Sequence, residues 1–204
     1  MTEDEARDWV EHSFGALAVT AMHQLIDIVR AESTRQNLVA PSTLEAMWTR
    51  HIVDSAQLVR LAPQDDRLWL DIGSGAGFPG LVVAALTERP VWLVEPRRRR
   101  ADFLSDAADA MGMGDRVTVK AARIEDVTVE AGIISARAVA SLDSLFAWGA
   151  KCASSATCWI LPKGRSALAD IAAAQQVWDG VFHVEHSITD PDSLIVLASR
   201  VTRR

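Results

Sequence analysis

The stretch RLWLDIGSGAGFPG, residues 67–80, decides the fold of this chain. An apolar run leads to Asp71, three glycines follow at alternate positions, and an apolar segment resumes at Leu81. Glycine adopts positive φ without strain and allows a ligand to approach the backbone closely. A strand, a glycine turn and a helix in this order are typical of the nucleotide cradle at the first strand of an α/β sheet. The stretch therefore predicts a nucleotide site at this turn.

Asp71 bears on which nucleotide the turn would hold. A carboxylate beside the turn repels the pyrophosphate of a dinucleotide, whereas it attracts the ammonium and sulfonium groups of S-adenosylmethionine. The motif also satisfies GxGxxG, and Glu95 follows Gly75 at the distance where a dinucleotide site places its ribose-binding acid. S-adenosylmethionine is the favoured ligand, while a nicotinamide or flavin dinucleotide and a purely structural turn stay open.

Beyond the turn, apolar strand-like segments alternate with amphipathic helical segments. The predicted strands cover 91–94, 117–119, 132–136 and 157–161, and the predicted helices cover 81–86, 97–111, 141–151 and 167–177. Residues 181–186 and 194–197 are expected to pair as a terminal antiparallel couple. This alternation predicts an α/β fold with a mostly parallel, seven-stranded sheet and helices on both faces.

Residues 1–66 are predicted to form an N-terminal helical extension to a Rossmann-like domain over 67–204, the whole making one compact domain. Apolar residues recur at helical spacing over 3–32. Ser42 and Glu45 have the spacing of a capping box, which predicts a helix beginning at Ser42.

The charges are distributed unevenly along the chain. The net charge is −6, and residues 1–66 hold 5 basic and 11 acidic side chains against 16 of each in 67–204. The predicted sheet domain is therefore neutral overall, and its local basic clusters are compatible with nucleic-acid binding. No apolar run approaches the ~18 residues of a membrane span, and the acidic N-terminus lacks the basic region of a signal peptide. The two cysteines have no metal-site spacing. We expect a cytoplasmic monomer with no membrane association and no bound metal.

Polar residues follow the predicted strands at the edge where a parallel sheet binds its ligand. Asp71 follows the first strand, Glu95 the second, segment 123–125 the third and Arg137 the fourth. Carboxylate oxygens accept hydrogen bonds from ribose hydroxyls, and we expect this role of Glu95. Backbone groups of segment 123–125 are expected to border the adenine.

Several separated segments agree with the pattern of one family. They are Asn37-Leu38, Arg50-His51-Ile52-Val53-Asp54-Ser55, the glycine stretch from Asp71 to Gly80, Glu95 with Arg99-Arg100 and Phe103-Leu104, Arg123-Ile124-Glu125, Ser135-Ala136-Arg137-Ala138, and Lys163-Gly164. They run in order from residue 37 to 164. On these segments the chain resembles the small-subunit ribosomal RNA methyltransferase G family, also called glucose-inhibited division protein B (GidB).

The resemblance implies a class I (Rossmann-like) S-adenosylmethionine-dependent methyltransferase that acts on guanine N7 in the decoding-region 530 loop of 16S rRNA. The small ribosomal subunit would be its partner. The alternatives are an S-adenosylmethionine-dependent methyltransferase of another substrate and a dinucleotide-dependent oxidoreductase. By matching position, the resemblance implies cofactor contacts at Gly73, Phe78, Ile124, Glu125 and Arg137, with Ser74, Gly75 and Glu95 beside them. Asp71 is a further cofactor-binding candidate because of the charge of its carboxylate.

Guanine N7 already carries an in-plane lone pair, so its methylation removes no proton from the nucleophile and we assign no general base. Catalysis would then rest on positioning of the reacting groups. RNA binding needs basic side chains, and the candidates are Arg50, Arg99, Arg100, Arg123, Lys163 and Arg165. At most two of the four arginines over 97–100 can face one ligand, because consecutive helical residues do not share a face. His51 is expected to be packed and hydrogen-bonded.

Overall fold

The computed structural model describes all 204 residues. Its α-helices are α1 (Glu3–Phe14), α2 (Ala16–Ser33), α3 (Asp54–Leu61), α4 (Gly80–Leu86), α5 (Arg98–Ala110), α6 (Leu142–Trp148) and α7 (Ala167–Ala174). Its strands are β1 (Trp69–Ile72), β2 (Val91–Val94), β3 (Val117–Lys120), β4 (Ile133–Ala136), β5 (Cys158–Pro162), β6 (Trp178–His186) and β7 (Leu194–Arg203). Short 3₁₀ segments lie at Pro41–Thr43, Ile124–Asp126 and Gly164–Ser166, and Trp48–Val53 is a π-helix that runs into α3.

All seven strands form one sheet in the order β3-β2-β1-β4-β5-β7-β6. The five strands from β3 to β5 are parallel, and β7 pairs antiparallel with both β5 and β6. The predicted mostly parallel, seven-stranded sheet with a terminal antiparallel pair is confirmed. Strand order reverses between β1 and β4, and such a switch point opens a crevice at the carboxyl ends of the strands.

The sheet separates two apolar cores. Along β1, Trp69 packs in one core with Leu81 of α4, and the next residue, Leu70, packs in the other with Phe146 of α6. Successive side chains of a strand point to opposite faces, and β1 is buried at all four positions. Helices α1 to α5 cover the first face, while α6 and α7 cover the second. The expected helices on both faces are therefore confirmed.

The N-terminal helices continue the first core. Val10 of α1 and Leu25 of α2 are fully buried in the same apolar cluster as Leu81. Residues 1–66 thus pack onto α4 rather than forming a core of their own. None of the helices combines the length and the apolar character that crossing a bilayer requires.

The helix predicted to begin at Ser42 is wrong, because Pro41–Thr43 forms only a 3₁₀ turn and the next helical run begins near Trp48. The physical reason is a tertiary cap. The Glu3 carboxylate accepts hydrogen bonds from the amide N–H groups of Trp48 and Thr49, both at 2.9 Å, and from the Thr49 hydroxyl at 2.7 Å. A carboxylate from α1 therefore satisfies the N–H groups that a local cap would otherwise satisfy.

Candidate functional site

The glycine stretch forms the predicted tight turn between β1 and α4. Gly73 and Gly77 have φ of 70° and 90°, which glycine adopts without strain. A Cβ on Gly73 would lie 2.7 Å from Val139 in the connection between β4 and α6, so the turn packs closely against that connection. The Glu95 carboxylate accepts hydrogen bonds from the N–H of Gly75 at 3.0 Å and of Arg97 at 2.9 Å. Glu95 thereby ties the end of β2 to the glycine turn.

A cavity of about 600 Å³ lies at this turn, at the carboxyl ends of β1, β2 and β4. Its volume is within the range of small-ligand sites. Eight of the nine residues expected at the cofactor line it: Gly73, Ser74, Gly75, Phe78, Glu95, Ile124, Glu125 and Arg137. The fold therefore brings to one cavity residues that are spread over more than sixty positions of the sequence.

Asp71 is the exception, and the expectation that it contacts the cofactor directly needs correction. Its side chain is fully buried and does not line the cavity. The Ser135 hydroxyl donates to its carboxylate at 2.7 Å, and a Cβ on Gly80 would lie 2.9 Å from the other carboxylate oxygen. Because β1 side chains alternate between faces, Asp71 points as Trp69 does, toward α4. Burial raises the pKa of Asp71 to about 6, with hydrogen bonds from Ser135 and Ser74 opposing the shift.

Arg137 joins the end of β4 to the π-helix. One guanidinium nitrogen donates to the Arg50 carbonyl at 3.1 Å and to the Asp54 carboxylate at 3.3 Å. The other donates to His51 Nδ1 at 3.1 Å, and the guanidinium lies 5.5 Å from the centre of the Phe78 ring. π-Helical turns are frequent at functional sites, and this one presents a carbonyl, a ring nitrogen and a carboxylate to a single arginine.

His51 is packed and hydrogen-bonded, as expected, and it also lines the cavity. Its ring stacks on Phe78 with centroids 4.9 Å apart, and its Nε2 lies 2.9 Å from the Thr43 hydroxyl oxygen. Burial, and then the charges of Arg137 and Arg50, lower the pKa of His51 to about 3. The ring is therefore neutral at pH 7. Its partners assign the tautomer, because Nδ1 accepts from Arg137 and Nε2–H donates to Thr43.

The six candidate RNA-binding residues do not form one patch. Arg100 and Arg123 line the cavity beside the glycine turn, whereas Arg50 and Lys163 line a second cavity of about 380 Å³. Arg99 lies outside both, where it donates to the Arg35 carbonyl at 2.9 Å, and the exposed Arg165 pairs with Asp192.

Two of the four arginines over 97–100, Arg97 and Arg100, line the same cavity, which agrees with the limit that helical geometry sets.

Asp54 and the lining residues Val139 and Trp148 were missed as functional candidates by the sequence reasoning. Asp54 lies within the Arg50–Ser55 segment that carries the family pattern, and its place in that segment was the signal that could have identified it as a functional candidate. Its partner Arg137 lies 83 positions away, and the sequence contains no signal for that pairing.

Solved methyltransferase structures have the same fold. The O-methyltransferase from Bacillus cereus, solved with SAH, aligns with a TM-score of 0.58 at 14% identity, covering 88% of this chain and 90% of that one. With the strand order and the cavity at the glycine turn, this places the chain in the class I, Rossmann-like methyltransferase fold.

The sequence comparisons identify the family. The family model described as rRNA small subunit methyltransferase G (GidB) matches residues 18–190. The ribosomal RNA small subunit methyltransferase G of Rhizorhabdus wittichii is 47% identical, over 100% of this chain and 95% of that protein. The protein of the same name from Erythrobacter litoralis is 43% identical, over 96% and 95%. The chain belongs to the rRNA small subunit methyltransferase G family.

Proposed function

We propose that this chain transfers a methyl group from S-adenosylmethionine to N7 of a guanine in the 530 loop of 16S rRNA, in the small ribosomal subunit. One observation carries the proposal: in a chain of this family, eight residues expected at the cofactor line one cavity at the switch point of the sheet.

The cavity suits a ligand that has apolar, hydroxyl and charged parts. Glu95 accepts two backbone hydrogen bonds and retains lone pairs for ribose hydroxyls, since a carboxylate offers about four acceptor sites. The buried Ile124 and the Trp148 side chain border the space expected for the adenine. Asp71 acts through its charge rather than through contact, because its buried carboxylate lies beside Gly80, where the glycine stretch runs into α4, and a negative charge there favours a cation nearby.

S-adenosylmethionine supplies the methyl group together with the positive charge that passes to the accepting base. The protein's part is to hold and align the base. Proximity and orientation alone are worth several kcal/mol, up to about 7–11 in well-oriented systems. No side chain is required to take a proton from N7. The neutral His51 agrees with the absence of a general base, because both of its ring nitrogens already make hydrogen bonds, one with Arg137 and one with Thr43.

The exposed large apolar side chains support a monomer. Leu17 lies on α2, Leu168 on α7, Val181 on β6 and Ile188 in the connection between β6 and β7, so these side chains come from four parts of the fold, and apolar side chains exposed singly are ordinary on a monomer. We extend the proposal to a cytoplasmic monomer that acts as one compact unit, with 1–66 as an extension of the 67–204 domain. The core shared by α1, α2 and α4 supports the single unit.

Two experiments test the proposed function. Calorimetric titration with S-adenosylmethionine and with NAD should give binding of the first only, and binding of NAD alone would favour the oxidoreductase alternative. Naked 16S rRNA, small subunits and a panel of metabolites are then offered with labelled S-adenosylmethionine. Label in the RNA of either ribosomal substrate supports the proposal, and label confined to metabolites would overturn it.

A further inference from the structure

The second cavity adjoins the first across a shared wall. It shares His51, Arg137 and Ala138 with the cavity at the glycine turn. The rest of its lining comes from the 3₁₀ turn at Thr43, the π-helix and the first residue of α3, the carboxyl end of β5 with the residues after it, Ser187 after β6, and the start of β7. At about 380 Å³ it falls within the size range of small-ligand sites.

The sheet topology separates the two cavities. The first lies over the ends of β1 and β2 and the segment after β3, and the second lies over the end of β5, with the end of β4 between them. Group transfer requires the two reactants to lie side by side with their reacting atoms near contact. Two adjoining cavities with one wall in common meet that requirement.

Asp54 is the single carboxylate of the second cavity. Its Oδ1 accepts from Gln57 at 3.2 Å and from Thr189 at 3.1 Å, whereas its Oδ2 accepts only from Arg137, at 3.3 Å. One acceptor site on Oδ2 is therefore unused. The side chain is 23% exposed, so a ligand in the cavity can reach it.

Arg50 supplies a cation at the same cavity. It is exposed, its side chain makes no ion pair or hydrogen bond, and its backbone carbonyl anchors Arg137. Lys163, by contrast, is already committed to Asp170 at 2.8 Å and to the Ala140 carbonyl at 2.6 Å. The cavity therefore offers one partly satisfied carboxylate and one free guanidinium.

That pair of groups matches a guanine nucleotide. The Watson–Crick edge of guanine presents two donors side by side, N1–H and the N2 amino group, and enzymes that act on an unstacked base read this edge. Adenine has an acceptor at N1, which a carboxylate repels. N7 lies on a different edge of the purine, so a carboxylate that accepts from the N2 amino group leaves N7 uncovered. The free guanidinium suits a flanking phosphate.

We propose, on the basis of the proposed function, that the second cavity holds the accepting guanine, with the free acceptor site of Asp54 Oδ2 on its N2 amino group and Arg50 on a flanking phosphate. The carboxylate has a second effect. The base becomes positively charged as N7 is methylated, and a negative group in contact with it stabilises that charge as it develops.

The test compares guanosine with inosine at the target position of otherwise identical RNA. Inosine lacks the N2 amino group and keeps both N1–H and N7. The native protein should methylate the inosine RNA with kcat/KM at least about tenfold lower, as expected for the loss of a hydrogen bond to a charged group. In Asp54→Asn the ratio of kcat/KM on guanosine RNA to kcat/KM on inosine RNA should fall to about threefold or less. Asp106→Asn, on an exposed carboxylate of α5, is the matched control and should keep the native ratio.

The ratio of the two kcat/KM values distinguishes recognition of the base by Asp54 from support of Arg137 by Asp54. If Asp54 only held Arg137, Asp54→Asn would lower both rates equally, and the unchanged ratio would overturn the inference. The native protein alone provides a second test, which does not depend on how well the variant folds. Equal kcat/KM values on the guanosine and inosine RNAs would also overturn the inference. Absence of 7-methylguanosine from the native reaction on guanosine RNA would overturn the proposed function and this inference together.

Arg50→Gln tests the phosphate contact. It should raise the KM for RNA and reduce the salt dependence of RNA binding by about one counterion, with S-adenosylmethionine affinity unchanged. An unaltered salt slope would remove Arg50 from the site.

Discussion

Replacing His51 by glutamine should change how the stability of the protein depends on pH. In the folded protein burial and two neighbouring arginines lower the pKa of His51 from 6.5 to about 3. The folded state therefore binds fewer protons at this site than the unfolded state between those pH values. Its contribution to stability is complete above pH 6.5 and is lost progressively as the pH falls toward 3.

The size of the effect follows from the shift. Each pH unit below 6.5 costs about 1.4 kcal/mol, so the native protein loses about 3 kcal/mol at this site by pH 4.5. His51 is only 8% exposed, so solvent screening reduces the figure little. A glutamine amide can accept from Arg137 and donate to Thr43, and it does not titrate. The variant should therefore lose about 3 kcal/mol less than the native protein between pH 7.5 and 4.5.

Asp71 acts in the opposite direction, and a comparison with the native protein is therefore required. Its pKa is raised from 3.8 to about 6, so its contribution makes the fold less stable as the pH rises through that range. The two effects partly cancel in the native protein, but Asp71 is common to both proteins in the comparison and drops out of the difference.

The assay is urea unfolding at pH 7.5 and 4.5, followed by the fluorescence of the seven tryptophans. His12→Gln, on the exposed surface of α1, is the matched control for loss of an imidazole. Parallel stability curves for the native protein and His51→Gln would refute the assignment of a buried, neutral His51.

Three further variants test the site. Arg137→Ala removes the hydrogen bonds to the Arg50 carbonyl and to His51 and leaves a gap beside Phe78, so S-adenosylmethionine affinity should fall at least tenfold by calorimetry; native affinity would remove Arg137 from the cofactor site. Gly73→Ala places a Cβ 2.7 Å from Val139 at a φ of 70°. It should lower the free energy of unfolding by about 1–3 kcal/mol and also weaken cofactor binding. An unchanged midpoint of urea unfolding would contradict the packing of the turn. Arg99→Ala combined with Arg100→Ala should weaken RNA binding and lower its salt slope by about one to two, whereas an unaltered slope would show that neither contacts phosphate.

The elements that local chemistry determines were predictable. The glycine turn follows from residues that alone adopt its dihedral angles, and β2 has the predicted bounds because a short apolar run between turn signals leaves little choice. The predicted 141–151 helix ends earlier, at Trp148, where Gly149 caps it.

Contacts between distant segments account for what was mispredicted or missed. Ser42 has a valid capping pattern, but Glu3 caps the helical run near Trp48 instead, and the Asp54–Arg137 pair joins two segments with no common local signal. Asp71 is a different case. Strand alternation already places it on the Trp69 side of the sheet, so its burial under α4 was available from the sequence once that alternation was applied.

The most direct test of the proposed function is transfer of labelled methyl from S-adenosylmethionine to small subunits purified from a strain that lacks this gene. The proposed function predicts label in one nucleoside of 16S rRNA, recovered as 7-methylguanosine after digestion. Label recovered in any other nucleoside, or no label from a protein that binds S-adenosylmethionine, would contradict it.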